Sequence, residues 1–330
     1  MREPYAGCRS AAPDPGYGLA MSKLWWALPL LLLLVAGCGP VEVREQRALD
    51  GETIQVVTTI GMIGDAVERV GGERVEVEGL MGPGVDPHLY KASEGDLRRL
   101  ERSDVIFFGG LHLEAKMADV LERIADQRAT QAVTDAIPRD RLLTPAQFEG
   151  QFDPHVWFDV ELWAYAVEQI RDRLAALDPG SAALYRRNAS AYLAELESLD
   201  RYVAEQSRRV PARQRVIITA HDAFNYFGGA YGFEVRGLQG ISTAAEAGAG
   251  DVQSLARFIA ERRIPAVFVE SSVSPRTIEA VQEAVRSRGW EVRIGGSLFS
   301  DAMGSPGTPE GTYIGMVRHN VDTIVAGLLG

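Results

Sequence analysis

The sequence predicts an α/β protein with two lobes, each built on a mostly parallel sheet that helices cover. Short apolar runs rich in β-branched residues alternate with helical spacing in both halves of the chain. Between the two series lies a helical stripe about 30 residues long, which no proline interrupts before Pro211. Such a helix would extend ~45 Å, longer than one small lobe. We therefore expect one rigid helix to join the lobes.

The first half of the chain reads as strand and helix in turn. A β-rich run ends at Gly61, and the helical spacing that follows stops at Gly71-Gly72. Ser93 has the character of an N-cap for the next helix. These patterns predict strands at residues 54–60, 74–80 and 104–108, and helices at residues 63–70, 94–100 and 113–125.

The second half repeats this alternation after the long helix. Asp178 and Pro179 match the cap and first-turn pair of that helix. Pro265 stands at the first position of a strand, where proline is tolerated, and Gly295-Gly296 is expected to end a later one. The patterns predict a short helix at residues 161–174, strands at residues 216–219, 265–270 and 291–294, and a final helix at residues 312–328.

The N-terminal region has the pattern of a bacterial export signal. Lys23 precedes thirteen apolar residues, too few for a membrane span, which needs about 20. The run ends in Val35-Ala36-Gly37-Cys38, a lipobox in form. We expect Cys38 to carry lipid as the new N-terminus of an exported protein facing the periplasm or cell exterior. Simple cleavage by the general signal peptidase is the alternative, and Met21 is a candidate start.

The remaining chain is long for one hydrophobic core. We expect a leader at residues 1–37, a first lobe at residues 38–177, a connecting helix at residues 178–210 and a second lobe at residues 211–330. The formal net charge of −11 argues against binding to nucleic acid or anionic lipid. Cys8 and Cys38 both fall in or beside the leader, so a metal site would use nitrogen and oxygen ligands.

Four residues of metal-binding type are spread through the chain at His88, His155, His221 and Asp301. They lie 67, 66 and 80 positions apart, so only the fold could bring them together. All but His155 follow runs that clearly read as strands, and ligands of open α/β sheets bind beyond the carboxyl ends of strands. Three imidazoles and one carboxylate complete the shell of a divalent transition metal. We therefore expect a metal held in the cleft between the lobes.

The local sequence around each histidine separates candidate ligands from structural residues. Two Asp-Pro-His tripeptides favour His88 and His155 as ligands, since proline fixes the backbone beside each histidine. His112 and His319 lack this setting, and we expect them to be structural. Glu270 ends a predicted strand, where it could orient a ligand imidazole or cap the helix that starts near residue 274.

Several motifs resemble the substrate-binding lipoproteins of bacterial metal-ion ABC importers, the cluster that includes manganese- and zinc-binding proteins and the lipoprotein adhesins. They cover nearly the whole mature chain. They are Gly84-Val85-Asp86-Pro87-His88-Leu89-Tyr90, Asp153-Pro154-His155-Val156-Trp157-Phe158-Asp159, Thr219-Ala220-His221-Asp222-Ala223-Phe224, Gly240-Ile241-Ser242-Thr243 and Val269-Glu270-Ser271-Ser272-Val273. The resemblance implies two α/β lobes around a rigid helix and a metal bound by His88, His155, His221 and Asp301. It also implies partners: a membrane permease with its cytoplasmic ATPase.

The resemblance also bears on the metal. The third ligand position carries His221, where some manganese binders of the family carry glutamate. The stretch from Glu114 to Gln151 contains no histidine, unlike the His-rich loop of many high-affinity zinc binders. This branch, with three histidines and one aspartate, includes both manganese and zinc proteins. We expect Mn²⁺ as the physiological cargo, with Zn²⁺ binding at least as tightly in vitro because imidazole suits Zn²⁺.

Two other classes of function remain open at this point. A secreted metalloenzyme would need an open coordination position and a general base, and four protein ligands leave little room for either. A surface adhesin is the other class, because some relatives have that label, although no feature of this sequence encodes it. We therefore expect a metal-binding protein that is not an enzyme.

Overall fold

The α/β class is confirmed by the computed structural model, which describes Leu49 and residues 51–145 and 150–330. The predicted leader and Cys38 lie outside these residues, and the lobe boundaries stay predictions. Within the described part of the chain, no helix is long and apolar enough to cross a membrane.

The first half of the chain forms a four-stranded parallel sheet with the order β2-β1-β3-β4. Its strands are β1 (Ile54–Thr58), β2 (Val75–Gly79), β3 (Val105–Phe108) and β4 (Ala129–Ala132), and its helices are α1 (Gly61–Gly71), α2 (Glu94–Arg102) and α3 (Ala118–Ala125). Ser93 caps α2 as predicted: its hydroxyl accepts the Asp96 N–H, while the Asp96 carboxylate accepts the Ser93 N–H.

Two helices follow, α4 (Val160–Leu177) and α5 (Ala182–Arg208). The 27 residues of α5 correspond to ~40 Å, close to the predicted helix. The predicted stripe is buried at Ala189, Tyr192, Leu196, Leu199 and Val203, but its predicted first member, Leu184, is only half-buried, and the neighbouring Tyr185 is buried instead. Asp178 does not cap α5. Its carboxylate instead accepts hydrogen bonds from Arg74, at 2.9 Å, and from the Tyr185 hydroxyl.

The second half forms two parallel strand pairs. The strands are β5 (Val216–His221), β6 (Glu234–Gln239), β7 (Ala266–Glu270) and β8 (Arg293–Leu298), and the helices are α6 (Asn225–Tyr231), α7 (Ala249–Arg262), α8 (Arg276–Arg286) and α9 (Tyr313–Leu329). One hydrophobic cluster contains β1, β3, α1, α4, α5 and α9, and a smaller one lies between the strands of the second half and helices α7 and α8.

The predicted end of β8 was wrong. Gly295-Gly296 lies inside the strand, because these positions need small residues rather than a turn. A Cβ on Gly295 would lie 2.8 Å from the Phe268 ring and 3.1 Å from the Gly327 Cα atom of α9. The pairing with β7 is also irregular between Val267 and Phe268. The glycines thus let α9 pack closely against β8.

Candidate metal centre

The fold brings together the four residues that the sequence singled out. His88 lies in the loop between β2 and α2, and His155 lies in the loop before α4. His221 is the last residue of β5, and Asp301 follows β8. One potential ligand atom from each of the four lies within 4.8 Å of the others. All four side chains are buried.

The distances between these atoms fit a metal shell. The Nε2 atoms of His88 and His155 lie 3.3 Å apart. The carboxylate of Asp301 lies 3.4 Å from His155 Nε2, 3.3 Å from His221 Nε2 and 4.0 Å from His88 Nε2. A tetrahedral ion with bonds of about 2.1 Å separates its ligand atoms by roughly 3.4 Å. The four donors therefore surround a space that suits one transition-metal ion.

The two Asp-Pro-His tripeptides present their histidines through the same local turn. The Asp86 carboxylate accepts the backbone N–H of His88 at 2.9 Å, and that of Asp153 accepts the N–H of His155 at 3.0 Å. An aspartate that binds the backbone two residues on forms an Asx turn. The proline between the two residues restricts the backbone further. Each turn thus holds its histidine in a fixed backbone direction without a helix or strand.

Carboxylates orient two of the three imidazoles. Glu270 Oε2 lies 2.7 Å from His221 Nδ1, while its Oε1 atom accepts the backbone N–H groups of Ala220 and His221. Asp153 Oδ1 lies 2.7 Å from His155 Nδ1. In both rings Nε2 is left to face the centre. Such partners fix the tautomer and raise the basicity of a ligand histidine.

These placements go beyond the prediction at two points. Glu270 lies beside the His221 imidazole, and among the described residues no side chain caps the helix that begins at Arg276; its role in orienting the imidazole stays a prediction that this contact supports. Asp153 was not singled out from the sequence. Its spacing of two residues before His155 is the signal that could have identified it, although Asp86 has the same spacing and does not reach the His88 ring.

Burial and neighbouring charges shift the pKa values of the site in opposite directions. Burial lowers the pKa of His88 to about 3, so this imidazole is neutral. Burial also disfavours the charged form of His155, but the carboxylates of Asp153 and Asp301 outweigh it and raise its pKa to about 9. Glu270 and Asp301 likewise raise the pKa of His221. Although burial acts against it, the two charged imidazoles hold the pKa of Asp301 well below its usual range.

The raised pKa values of His155 and His221 mean that protons on these imidazoles would balance the buried carboxylates whenever no cation is bound. A metal ion could supply that positive charge instead, because it needs neutral imidazoles and therefore displaces those protons. The arrangement suits reversible capture of a cation. The Trp157 ring lies 5.3 Å from the His155 ring and covers one side of the site, and its indole N–H donates to the Ser300 carbonyl.

Comparison with known proteins identifies the family to which the chain belongs. A family model described as "Zinc-uptake complex component A periplasmic" matches residues 56–327. The chain belongs to this zinc-uptake family. The predicted resemblance is confirmed.

Two relatives of this chain illustrate the family's range. It is 53% identical to the zinc-binding protein TroA of Treponema pallidum over 284 residues, which cover 86% of this chain and 91% of TroA. It is 48% identical to the manganese-binding lipoprotein MntA of Bacillus subtilis over 294 residues, which cover 89% and 95% of the two chains. The solved structure of the periplasmic zinc-binding protein TroA superposes with a TM-score of 0.82 at 52% identity, covering 84% of this chain and 99% of that one.

The other two histidines of this family member stand outside the centre. His319 lies on α9, and its ring is 3.0 Å from the Ser297 carbonyl oxygen. His112 has a left-handed backbone, with φ of 64°, in the turn after β3. Neither residue belongs to the group of four potential ligands.

Proposed function

We propose that this protein is an extracytoplasmic solute-binding protein that captures one Mn²⁺ or Zn²⁺ ion and delivers it to an ABC-type importer. The observation that carries the proposal is the buried group of His88, His155, His221 and Asp301, whose donor atoms lie within 4.8 Å of one another. Burying ionisable groups together is costly unless a counter-charge or metal compensates them. A bound cation would supply that compensating charge to the four groups.

The donor set supports a transition metal. Imidazole suits zinc and other transition metals, whereas Mg²⁺ and Ca²⁺ prefer oxygen ligands. We propose that Asp301 contributes charge neutralisation and that bidentate coordination by it would accommodate Mn²⁺, which favours more ligands. The names of the relatives include both a zinc-binding and a manganese-binding protein, in keeping with a site of this composition.

Cargo binding fits the site better than catalysis does. A catalytic metal keeps a coordination position open for water or substrate. Here four side chains converge, and each is at most 1% exposed. The carboxylates beside them, Glu270 and Asp153, lie against the ligand imidazoles. We therefore propose a binding protein rather than an enzyme.

The proposed partners are a membrane permease with its cytoplasmic ATPase. We propose that lipid on Cys38 anchors the protein outside the cytoplasmic membrane, as the lipobox indicates, and that residues 38–177 and 211–330 form the two lobes around the connecting segment. The name of the MntA relative, a lipoprotein, supports the anchor.

Elemental analysis of protein purified without added metal tests the proposal. We expect up to one equivalent of Mn or Zn per chain, and restoration to one equivalent after chelation and reloading. Competition between Mn²⁺ and Zn²⁺ should show zinc binding at least as tightly. A chain that takes up neither ion, or that takes up several equivalents with equal affinity, would contradict the proposed function.

A further inference from the structure

The three imidazoles are not held alike. His155 and His221 each have a carboxylate oxygen 2.7 Å from Nδ1. Among the residues that the structure describes, the buried Nδ1 atom of His88 has neither a hydrogen-bond partner nor an ion pair with a carboxylate, whereas His155 Nδ1 has a hydrogen bond and His221 Nδ1 has a close carboxylate. The outer nitrogen of the His88 ring is therefore held by no carboxylate, and the Asx turn with Asp86 fixes the backbone of this residue.

The loop of His155 is tied to the second half of the chain. Asn225 donates to Asp153 Oδ2 at 3.0 Å, and the Tyr226 hydroxyl donates to the Asp153 carbonyl at 3.0 Å. The indole N–H of Trp157, two residues after His155, donates to the carbonyl of Ser300 at 3.1 Å. Ser300 directly precedes Asp301. The His155 loop is thus tied by hydrogen bonds to the segments that carry His221 and Asp301, although it precedes α5 in sequence, and we call these three segments the framework.

The loop of His88 meets that framework through the His88 ring itself, whose Nε2 lies 3.3 Å from His155 Nε2, and through one hydrogen bond of Asp86. Residues 80–93 connect β2 to α2 without regular secondary structure. The Thr243 hydroxyl donates to Asp86 Oδ2 at 2.5 Å, while Asp86 Oδ1 accepts the His88 N–H. Across the described part of the chain, this is the hydrogen bond that joins the His88 loop to residues 216–330. We name it the Asp86–Thr243 clasp. It belongs to the Gly240-Ile241-Ser242-Thr243 motif, for which the proposed ligand set gives no role.

We propose that the Asp86–Thr243 clasp positions His88 and sets the rate at which the bound metal is released. The inference rests on the proposed function and deepens it. With the clasp closed, Asp86 holds the His88 backbone and presents Nε2 to the ion. With the clasp open, the loop carries His88 away from a framework that keeps its other three donors. Thr243 is a positioning residue in this account, because it acts on the metal through Asp86 and His88.

Stopped-flow release of Mn²⁺ or Zn²⁺ into excess chelator tests the clasp, with tryptophan fluorescence as the signal. Thr243→Val keeps the shape but removes the hydroxyl, so release should accelerate about tenfold or more, the range expected for losing a hydrogen bond to a charged group. Thr243→Ser should release metal within about threefold of the wild-type rate. Association rates should change much less than release rates, since the other three donors are unchanged.

Controls separate this inference from the proposed function. Ser242→Ala removes the neighbouring hydroxyl, whose recorded contact is with the Ala244 N–H, and should leave the release rate unchanged. Thr243→Ala is a second variant in case valine perturbs folding, which circular dichroism of the metal-free proteins will show. If the wild type binds one ion and both folded variants release it at the wild-type rate, the clasp is refuted while the proposed function stands. If the wild type binds no metal, both fail.

Discussion

Replacing Glu270 with glutamine would change the proton on a ligand without changing the shape of the site. Glu270 is 4% exposed. Its Oε1 atom accepts the N–H groups of Ala220 and His221, and its Oε2 atom lies 2.7 Å from His221 Nδ1. In Glu270→Gln the amide oxygen keeps the two backbone contacts, so the NH₂ group faces Nδ1. The ring would then hold its proton on Nε2, the atom that faces the metal.

The expected cost follows from the role of such partners. Loss of a group that orients a ligand histidine lowers metal affinity about 10- to 100-fold, or roughly 1.4–2.8 kcal/mol. We expect the Kd for Mn²⁺, measured by titration calorimetry at pH 7.5, to rise by this factor with the stoichiometry unchanged. Zn²⁺ should be measured by competition with a chelator of known affinity.

The exposed Glu279 of α8 provides a matched control. Glu279→Gln makes the same change in charge far from any contact with the ligand imidazoles, and its Kd should equal that of the wild type. If Glu270→Gln binds metal within about twofold of the wild type, the tautomer argument fails. His221 would then need no carboxylate partner to act as a ligand.

The other predictions concern the anchor, the ligands and pH. Cys38→Ser should release the protein from membranes or block its processing, which fractionation and the mature mass will show; a correctly cleaved, membrane-bound variant would refute the anchor. Alanine at His88, His155, His221 or Asp301 should each weaken binding in calorimetry, and unchanged affinity in any two variants would break the constellation. Saturation with metal at ~1,000 times Kd adds about 4 kcal/mol to the free energy of unfolding. The resulting rise in Tm should be much smaller at pH 5 than at pH 7.5. An equal gain at both would contradict imidazole ligation.

The sign of that pH dependence comes from the raised pKa values. The pKa of His155 is raised to about 9 and that of His221 is also raised, so metal must displace protons from both imidazoles, and these protons compete more strongly as the pH falls. In the metal-free protein the effect is reversed. The proton on His155 stabilises the fold fully below its unfolded pKa of ~6.5, and this contribution is lost as the pH rises through about 9. At high pH a bound metal ion therefore supplies the positive charge that protons on the imidazoles supply at low pH.

The convergence of the four proposed ligands could be predicted because it follows from chain topology. His221 ends a buried strand and Asp301 follows one, and parallel strands deliver both to the same edge. His88 and His155 were identified by the Asp-Pro-His pattern, which encodes a local turn. The prediction that Ser93 caps α2 was correct for the same reason, because its partner Asp96 lies only three residues further along the chain.

Contacts between distant residues explain what the sequence could not show. Asp178 precedes a proline like a helix cap, yet its partner is Arg74, 104 positions away. Gly295-Gly296 has the composition of a turn, but α9 packs against it and needs the space. Strands β4 and β6 were missed because Ala129–Ala132 and Glu234–Gln239 lack an apolar run, and only pairing with a neighbour makes them strands.

Anomalous diffraction at the manganese edge, from crystals of the protein loaded with one equivalent of Mn²⁺, tests the central claim most directly. We predict one strong peak within about 2.0–2.3 Å of the Nε2 atoms of His88, His155 and His221 and of the Asp301 carboxylate. Zinc-loaded crystals measured at the zinc edge should give a peak at the same position. A peak that lies elsewhere, or ligation that leaves out two of these four residues, would contradict the account.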